Sequence, residues 1–538
     1  MNRNPILPTA LSLLLLFPAV GLAAPAVPRP QESLEEKPGR EAALENELPA
    51  PSEHPAEVSF TLQSITVETG PLSLDAARLD AITAPYAGHE VTARALGEML
   101  TALTNYARES GYPAAGAYIP EQTAKEGHLL VRFLPGEVGE VRIQNDSRLN
   151  DDLARGIAAR LHPGAVITSR DLETALYTLD NLSGVRAAGA LTAGRETGTS
   201  DVTIRLRDDK ACTGTVYAEN YGSKSSGRYR YGLAANLEDV GGTGGRLSAG
   251  LLISNHNQHG YNLAWEMPVG HSATRLGIGF SRSDYELGSI FSQLGAEGMA
   301  NTYSFFGETP LWQTSRSALS VTYGFDHREM RDSMSGFSWK KHSEAFHVGL
   351  SGMGRRDGSF LRYGAELRMG TLTAGSEIAD VLGRAGETLG GFTKATLNVT
   401  AVQSLGHSTD LLLKAQGQIA NRNLDSSEQL YLGGAQGVRA YPHGEASGDE
   451  GALGTLELRY HTPVKGLTLS TYLDAGHVRL VRSHHASETL KGWGIGLAYN
   501  NHGWFARLDY ARRIGGPTIL SDDAKSRQRM WFLAGFNW

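Results

Sequence analysis

From about residue 211 to Trp538 the chain is a run of short segments in which apolar residues alternate with polar or small ones, and helical periodicity fades. A side-chain period of two belongs to a β-strand with two different faces. In LLLKAQGQIA, Leu411, Leu413, Ala415 and Ile419 share one face, opposite Lys414, Gln416 and Gln418. In TLELRYH, Leu456, Leu458 and Tyr460 oppose Glu457, Arg459 and His461. In WGIGLAY, Trp493, Ile495, Leu497 and Tyr499 oppose Gly494, Gly496 and Ala498. Clusters of Gly, Asn, Asp and Ser separate the segments. A soluble sandwich also alternates, but its buried face would not tolerate these charges unpaired. A barrel in lipid turns its apolar face outward and its polar or small face inward, with aromatics near the strand ends.

The N-terminus supports that choice. Arg3 precedes an apolar run from Ile6 to Val20, and Gly21, Ala23 and Ala24 follow. This is the pattern of a secretory signal over residues 1–23. The run is short for a spanning helix, which needs about 20 apolar residues. No later stretch is predicted to span a bilayer as a helix, and the other structure that satisfies its backbone in lipid is a closed barrel. At about 20 residues per strand and turn, residues 211–538 accommodate about 16 antiparallel strands.

Two smaller units precede the barrel. Residues 57–136 read as a β-α-α-β-β module: Phe60 and Leu62 alternate, then Ile65 and Val67 after a slip, and Leu96, Met99, Leu100 and Leu103 recur at helical spacing behind a Thr92 cap. Residues 137–208 repeat the order, with helices marked by Leu153, Ile157 and Leu161 and by Leu172, Leu176 and Leu179, the second capped by Thr168 or Ser169. Val202, Ile204 and Leu206 line one face of its closing strand. Residues 24–56, rich in Pro, Glu and Ala, form a linker that holds at most a short helix.

Other functions find little support. Charged residues are 20% of the chain and the net charge is -7, without the basic concentration that nucleic acid requires. One cysteine, Cys212, can form neither an internal disulfide nor a cysteine metal site. The sequence holds no GxxxxGK[ST] loop, G-x-S-x-G elbow or H-E-x-x-H pair, and His484–His485 is a lone pair on an expected loop. No enzymatic activity and no cofactor is expected.

The run LYLGGAQGVRAYPHGEASGDEG, Leu430 to Gly451, resembles the sixth extracellular loop of the haemolysin secretion/activation proteins, the TpsB transporters of two-partner secretion. Their Val-Arg-Gly-Tyr tetrad stands here as Val438, Arg439, Ala440 and Tyr441, with Ala440 at a position expected to require unusual backbone torsions. Their aromatic-x-Asp-x-Gly motif stands as Tyr472, Asp474 and Gly476, and alternation turns Asp474 inward with Ser470 and Tyr472. GYPAAGAYIPEQ, from Gly111, is similar to a stretch of their first POTRA domain. Phe536 and Trp538 resemble the C-terminal signal of outer-membrane proteins, and also suit an interfacial aromatic girdle.

The resemblance implies two POTRA domains before a transmembrane barrel in the outer membrane of a Gram-negative cell, with the POTRA domains in the periplasm. It implies pairing of Arg439 with Asp474 inside the barrel, where each would otherwise be an ordinary solvated lumen charge. It implies a plug helix, for which residues 31–48 are the candidate, starting near Arg40 because Pro38 and Gly39 interrupt it. The implied partners are a large exoprotein with an N-terminal secretion domain, outer-membrane lipids and the barrel-assembly machinery that inserts the chain. The competing readings are a barrel-assembly factor, which shares the loop motif but usually carries more POTRA domains, and a passive porin, which carries none.

Overall fold

The computed structural model describes residues 43–46, 59–122, 127–314, 316–517, 519, 521 and 526–538. The signal segment 1–23 lies outside the described residues, as does most of the linker. Within the proposed plug segment, Ala43–Asn46 is not helical. It is a strand that adds in parallel to Val185–Ala193 at the edge of the second module's sheet. The rest of the plug segment lies outside the described residues.

In the first module the expected Phe60–Val67 strand divides into Ser59–Thr61 and Ser64–Glu68. The slip has a packing cause: Leu62 is fully buried and its amide donates to the His89 carbonyl. Ser59–Thr61 therefore pairs with Glu90–Thr92, a strand the sequence pattern did not announce. Ser64–Glu68 instead lies parallel to His128–Leu134, whose other edge takes Gly116–Tyr118. Thr92 caps the helix Ala93–Glu109 by accepting from the Ala95 amide at 3.2 Å, and Leu96, Met99 and Leu103 form its buried stripe. A second helix, Ala76–Thr83, packs beside it.

The second module places Asp151–Ala158 and Ser169–Asp180 on one side of its sheet, Thr168 capping the latter through the Asp171 amide. Val202, Ile204 and Leu206 enter its core with Leu172, Leu176 and Leu179, and Leu161 is buried just past the end of the first helix.

The barrel is closed and has 16 antiparallel strands, from Cys212–Glu219 to Gln528–Asn537, and these two pair to complete it. Alternation predicts the facing correctly. Leu413, Ile419, Leu456, Leu458, Trp493, Ile495 and Leu473 are exposed on the outer wall, while Glu457, Tyr472 and Asp474 are buried on the inner one. A short helix, Glu377–Ala385, does interrupt the barrel region, in the connection between the ninth and tenth strands. His484 and His485 belong to the start of the fourteenth strand, Ser483–Asn501, rather than to a loop.

The second module seats on the near end of the barrel. The Asn150 amide donates to the Gly242 carbonyl at 2.9 Å and the Ser183 amide to the Gly244 carbonyl at 3.1 Å. The turn that receives them needs a glycine: Gly242 has φ +72°, and an added Cβ would stand 2.7 Å from the Arg148 carbonyl oxygen.

Candidate functional site

The long connection between the eleventh strand, Thr409–Ala420, and the twelfth, Glu450–His461, turns back into the barrel from the end opposite the modules. It is built as a narrow hairpin: Leu430–Tyr431 pairs with Ser447–Gly448, and inside it the Val438 amide donates to the Leu432 carbonyl at 2.7 Å. Gly434, at φ +114°, makes the turn. Val438, Ala440 and Tyr441 are fully buried and Arg439 is 5% exposed, so the tip is packed against the wall rather than bathed in solvent.

Arg439 meets the wall near the middle of the thirteenth strand, Leu467–Leu480. Its Nε donates to Asp474 Oδ2 at 2.9 Å and its Nη2 to Asp474 Oδ1 at 2.8 Å, the side-on fork that a guanidinium forms with a carboxylate. The Arg439 amide donates to the same Oδ2 at 3.1 Å. Nη1 reaches Glu457 Oε2 at 3.0 Å and Asp509 Oδ1 at 3.3 Å. The guanidinium lies 3.1 Å over the Tyr472 ring. Trp531 Nε1 donates to the Arg439 carbonyl at 2.6 Å. Burial opposes the charged form of Arg439, and Asp474, Asp509 and Glu457 overrule it, so its pKa is raised.

Arg507 and Arg459 balance the remaining charge. Arg507 donates to Asp509 at 2.7 Å and to Glu457 at 3.1 Å, and Arg459 to Glu457 at 3.1 Å. The site therefore sets Arg439, Arg459 and Arg507 against Glu457, Asp474 and Asp509. Buried ions matched this way are tolerated, whereas removing one leaves the others uncompensated.

The sequence motifs thus meet in space. Tyr472 supplies the ring beneath Arg439, and Gly494 opposite it leaves room for that ring. Gly476 admits Leu432 of the loop: a Cβ there would stand 2.7 Å from the Leu432 Cδ2. Tyr441 donates its hydroxyl to the Gly515 carbonyl at 3.2 Å, tying the tip to the last connection of the barrel. Ala440 corrects one expectation. It does not adopt a positive φ, so an alanine is compatible with the backbone there. Its methyl faces Gly492, where a Cβ would stand 2.6 Å away. At the other end of the barrel, Phe536 packs its ring 4.9 Å from Trp504, and the Trp538 amide closes onto the Gly214 carbonyl at 3.1 Å.

Three partners of the arginine, Glu457, Asp509 and Trp531, and the Arg507 that balances them, carry no motif in the sequence. Glu457 sits on a polar face that alternation exposes, but nothing in TLELRYH ties it to residue 439. Asp509, Arg507 and Trp531 come from the last two strands, far along the chain from residue 439. Among the described residues no cluster of His, Cys, Asp and Glu has metal-site geometry.

Residues 198–499 match the model of the haemolysin secretion/activation protein ShlB/FhaC/HecB, and residues 60–136 match the ShlB-type POTRA domain. The chain belongs to the haemolysin secretion/activation protein family. It is similar to the heme/hemopexin transporter protein HuxB of Haemophilus influenzae, at 26% identity over 78% of this chain and 77% of that one. Among solved structures it superposes on CdiB from Escherichia coli with a TM-score of 0.70 at 20% identity, covering 98% and 96% of the two chains. BamA from Haemophilus ducreyi, lacking POTRA domains 1–3, superposes with 0.53 at 13% identity, over 89% of this chain and 100% of that one. As a TpsB transporter, the chain moves an exoprotein across the outer membrane by two-partner secretion, its barrel in that membrane and its POTRA region in the periplasm.

Proposed function

We propose that this transporter binds the N-terminal secretion domain of one large unfolded exoprotein through its periplasmic modules and threads it through the barrel, with the Arg439–Asp474 contact holding the loop in its working position. The observation that carries this reading is the buried fork between a loop arginine and a wall aspartate in mid-barrel, surrounded by matched charge. Such a contact gives a long loop one defined seat, since fork and carboxylate share a fixed geometry.

An extended segment of the exoprotein is recognised at a sheet edge, where main-chain hydrogen bonds supply affinity without demanding a folded ligand. The Val185–Ala193 edge of the second module is already paired with Ala43–Asn46. That favours the first module's Ser64–Glu68 edge, or displacement of the linker strand, for entry. The barrel-assembly machinery inserts the chain through its C-terminal Phe536 and Trp538. The rival assembly-factor reading shares the fold with BamA, but the paired modules ahead of the barrel favour transport.

The test expresses the chain with the large exported protein encoded beside it and assays that protein outside the cell. Export that depends on this chain, while other barrels assemble normally, supports the reading. Unaffected export with failing barrel assembly overturns it in favour of the assembly factor.

A further inference from the structure

A second charged cluster holds the same loop from the other side of the lumen. Glu428, in the turn Ser426–Glu428 just before the hairpin, is 5% exposed. Its Oε1 lies 3.1 Å from Arg328 Nη1 on the seventh strand, Ser317–Met334. Its Oε2 lies 2.9 Å from Lys394 Nζ on the tenth strand, Gly390–Ser404, and 3.4 Å from Arg368 Nε on the ninth, Ser359–Ala374. Lys394 Nζ and Gln418 Nε2 also donate to the Glu428 carbonyl, at 2.9 and 3.0 Å. Three residues earlier in the loop, Asp425 takes Lys341 Nζ at 2.7 Å.

The wall itself is arranged against its own stability. Arg368 and Lys394 stand directly opposite one another in the strand register, with His347 opposite Arg368 on its other side. Like charges placed directly across a ladder repel. The wall answers only in part: Asp326 takes Arg368 at 2.7 Å, Asp332 stands 3.8 Å from Lys341, and His347 lies between Asp326, at 4.0 Å, and Glu366, at 3.7 Å. The rest of the counter-charge comes from the loop.

When the Asp425–Glu428 stretch leaves the wall while the Arg439 tip stays seated on Asp474, Arg328, Lys341, Arg368 and Lys394 lose both carboxylates and face the lumen with a surplus of positive charge. We propose that this patch is a docking site for the carboxylate side chains of the polypeptide in transit, and that Asp425 and Glu428 occupy it at rest as an internal substitute for that ligand. Guanidinium and ammonium groups on a wall bind Asp and Glu of any extended chain, because charge-assisted hydrogen bonds read the carboxylate and not the sequence around it. The Asp425–Glu428 stretch and the passing chain then compete for the same cations, so arrival of an acidic segment favours the state in which that stretch has left the wall. This rests on the reading that an unfolded chain crosses the lumen.

The full-length protein in planar lipid bilayers tests the proposal without an exoprotein. Asp425→Asn with Glu428→Gln removes the internal ligand. The freed pore is expected to become anion-selective in a salt gradient. Poly-L-glutamate is expected to block its current at a concentration at least about tenfold below poly-L-lysine, the effect of a single charge-assisted hydrogen bond. Adding Arg368→Gln and Lys394→Gln is expected to abolish that preference. Should the double variant fail to insert, Glu428→Gln alone, which keeps the side chain's shape, is expected to give the same ranking of the two peptides. Equal block by both peptides, or a preference that survives loss of the wall cations, overturns the proposal. Those results leave the transporter reading intact if the wild type still exports its partner, and loss of wild-type export would defeat that reading whatever the peptides do.

Discussion

Arg439 binds both carboxylate oxygens of Asp474, through Nε at 2.9 Å and Nη2 at 2.8 Å, although the two residues belong to different elements and the arginine arrives on a loop. The contact joins the tip of the loop to mid-barrel, and Tyr472, Glu457 and Asp509 complete its surroundings. The fork shape matters as much as the charge. Arg439→Lys keeps the charge but cannot hold both oxygens of Asp474 together with Glu457 and Asp509. The loop in that variant is expected to be cut faster by an external protease than in the wild type, and Arg439→Ala faster still. The alanine variant should weaken docking by about 3–5 kcal/mol, because three buried carboxylates lose a partner.

Ala440 and Gly492 are expected to behave as a pair. Gly492→Ala puts two methyl groups about where one fits, and overpacking of this kind costs about 1–3 kcal/mol. Ala440→Gly in the same chain restores the space. Thermal unfolding of the two single variants and the double should therefore show rescue, with the double more stable than Gly492→Ala alone.

Much of this architecture was legible because strands in a barrel carry a simple code. Outward Leu413, Leu456 and Ile495 alternate with inward residues, so period two gives both strand and facing. The helix caps were equally readable, since Thr92 and Thr168 satisfy amides only a few residues away. Contacts across the lumen were not legible. Glu428 lies in NRNLDSSEQ, which reads as an ordinary polar connection, and its cationic partners sit on strands far away in sequence. The arginine partners Asp509 and Trp531 were hidden for the same reason: closure of the barrel, and not local pattern, brings them to the loop. The helix Glu377–Ala385 was missed because a short helix in a connection leaves little periodicity among strands.

His443 gives loop docking a pH dependence. Burial first, and then the charge of Arg230, hold its imidazole down to about 4, against an ordinary value of 6.5. An imidazole whose pKa is lowered on docking supports docking fully above about pH 6.5, and that support is lost as pH falls through the window down to about 4. Glu428 behaves in the same sense over a lower range. Burial raises its carboxyl, but Lys394, Arg368 and Arg328 bring it to about 2 from 4.5, so its support is lost only below about pH 4.5. Protease accessibility of the loop should rise between pH 6.5 and 4 in the wild type, and His443→Gln should flatten that part of the profile.

Gly242 sets the second module on the barrel. Gly242→Ala would place a side chain in left-handed backbone at a cost of about 1–2 kcal/mol and crowd the Arg148 carbonyl. The variant is expected to insert normally, to be cut more readily by trypsin near Lys210, and to export less of its partner. Unchanged cleavage would show that the seat does not depend on this turn.

The most direct measurement is a double-mutant cycle on export: the wild type, Arg439→Ala, Asp474→Ala and the pair, each compared at equal amounts of inserted barrel. If the fork is the working contact, each single variant loses most export and the double loses little more, because the second substitution removes a partner already idle. Export at the wild-type level from Arg439→Ala, in a barrel confirmed to be inserted, would contradict the account.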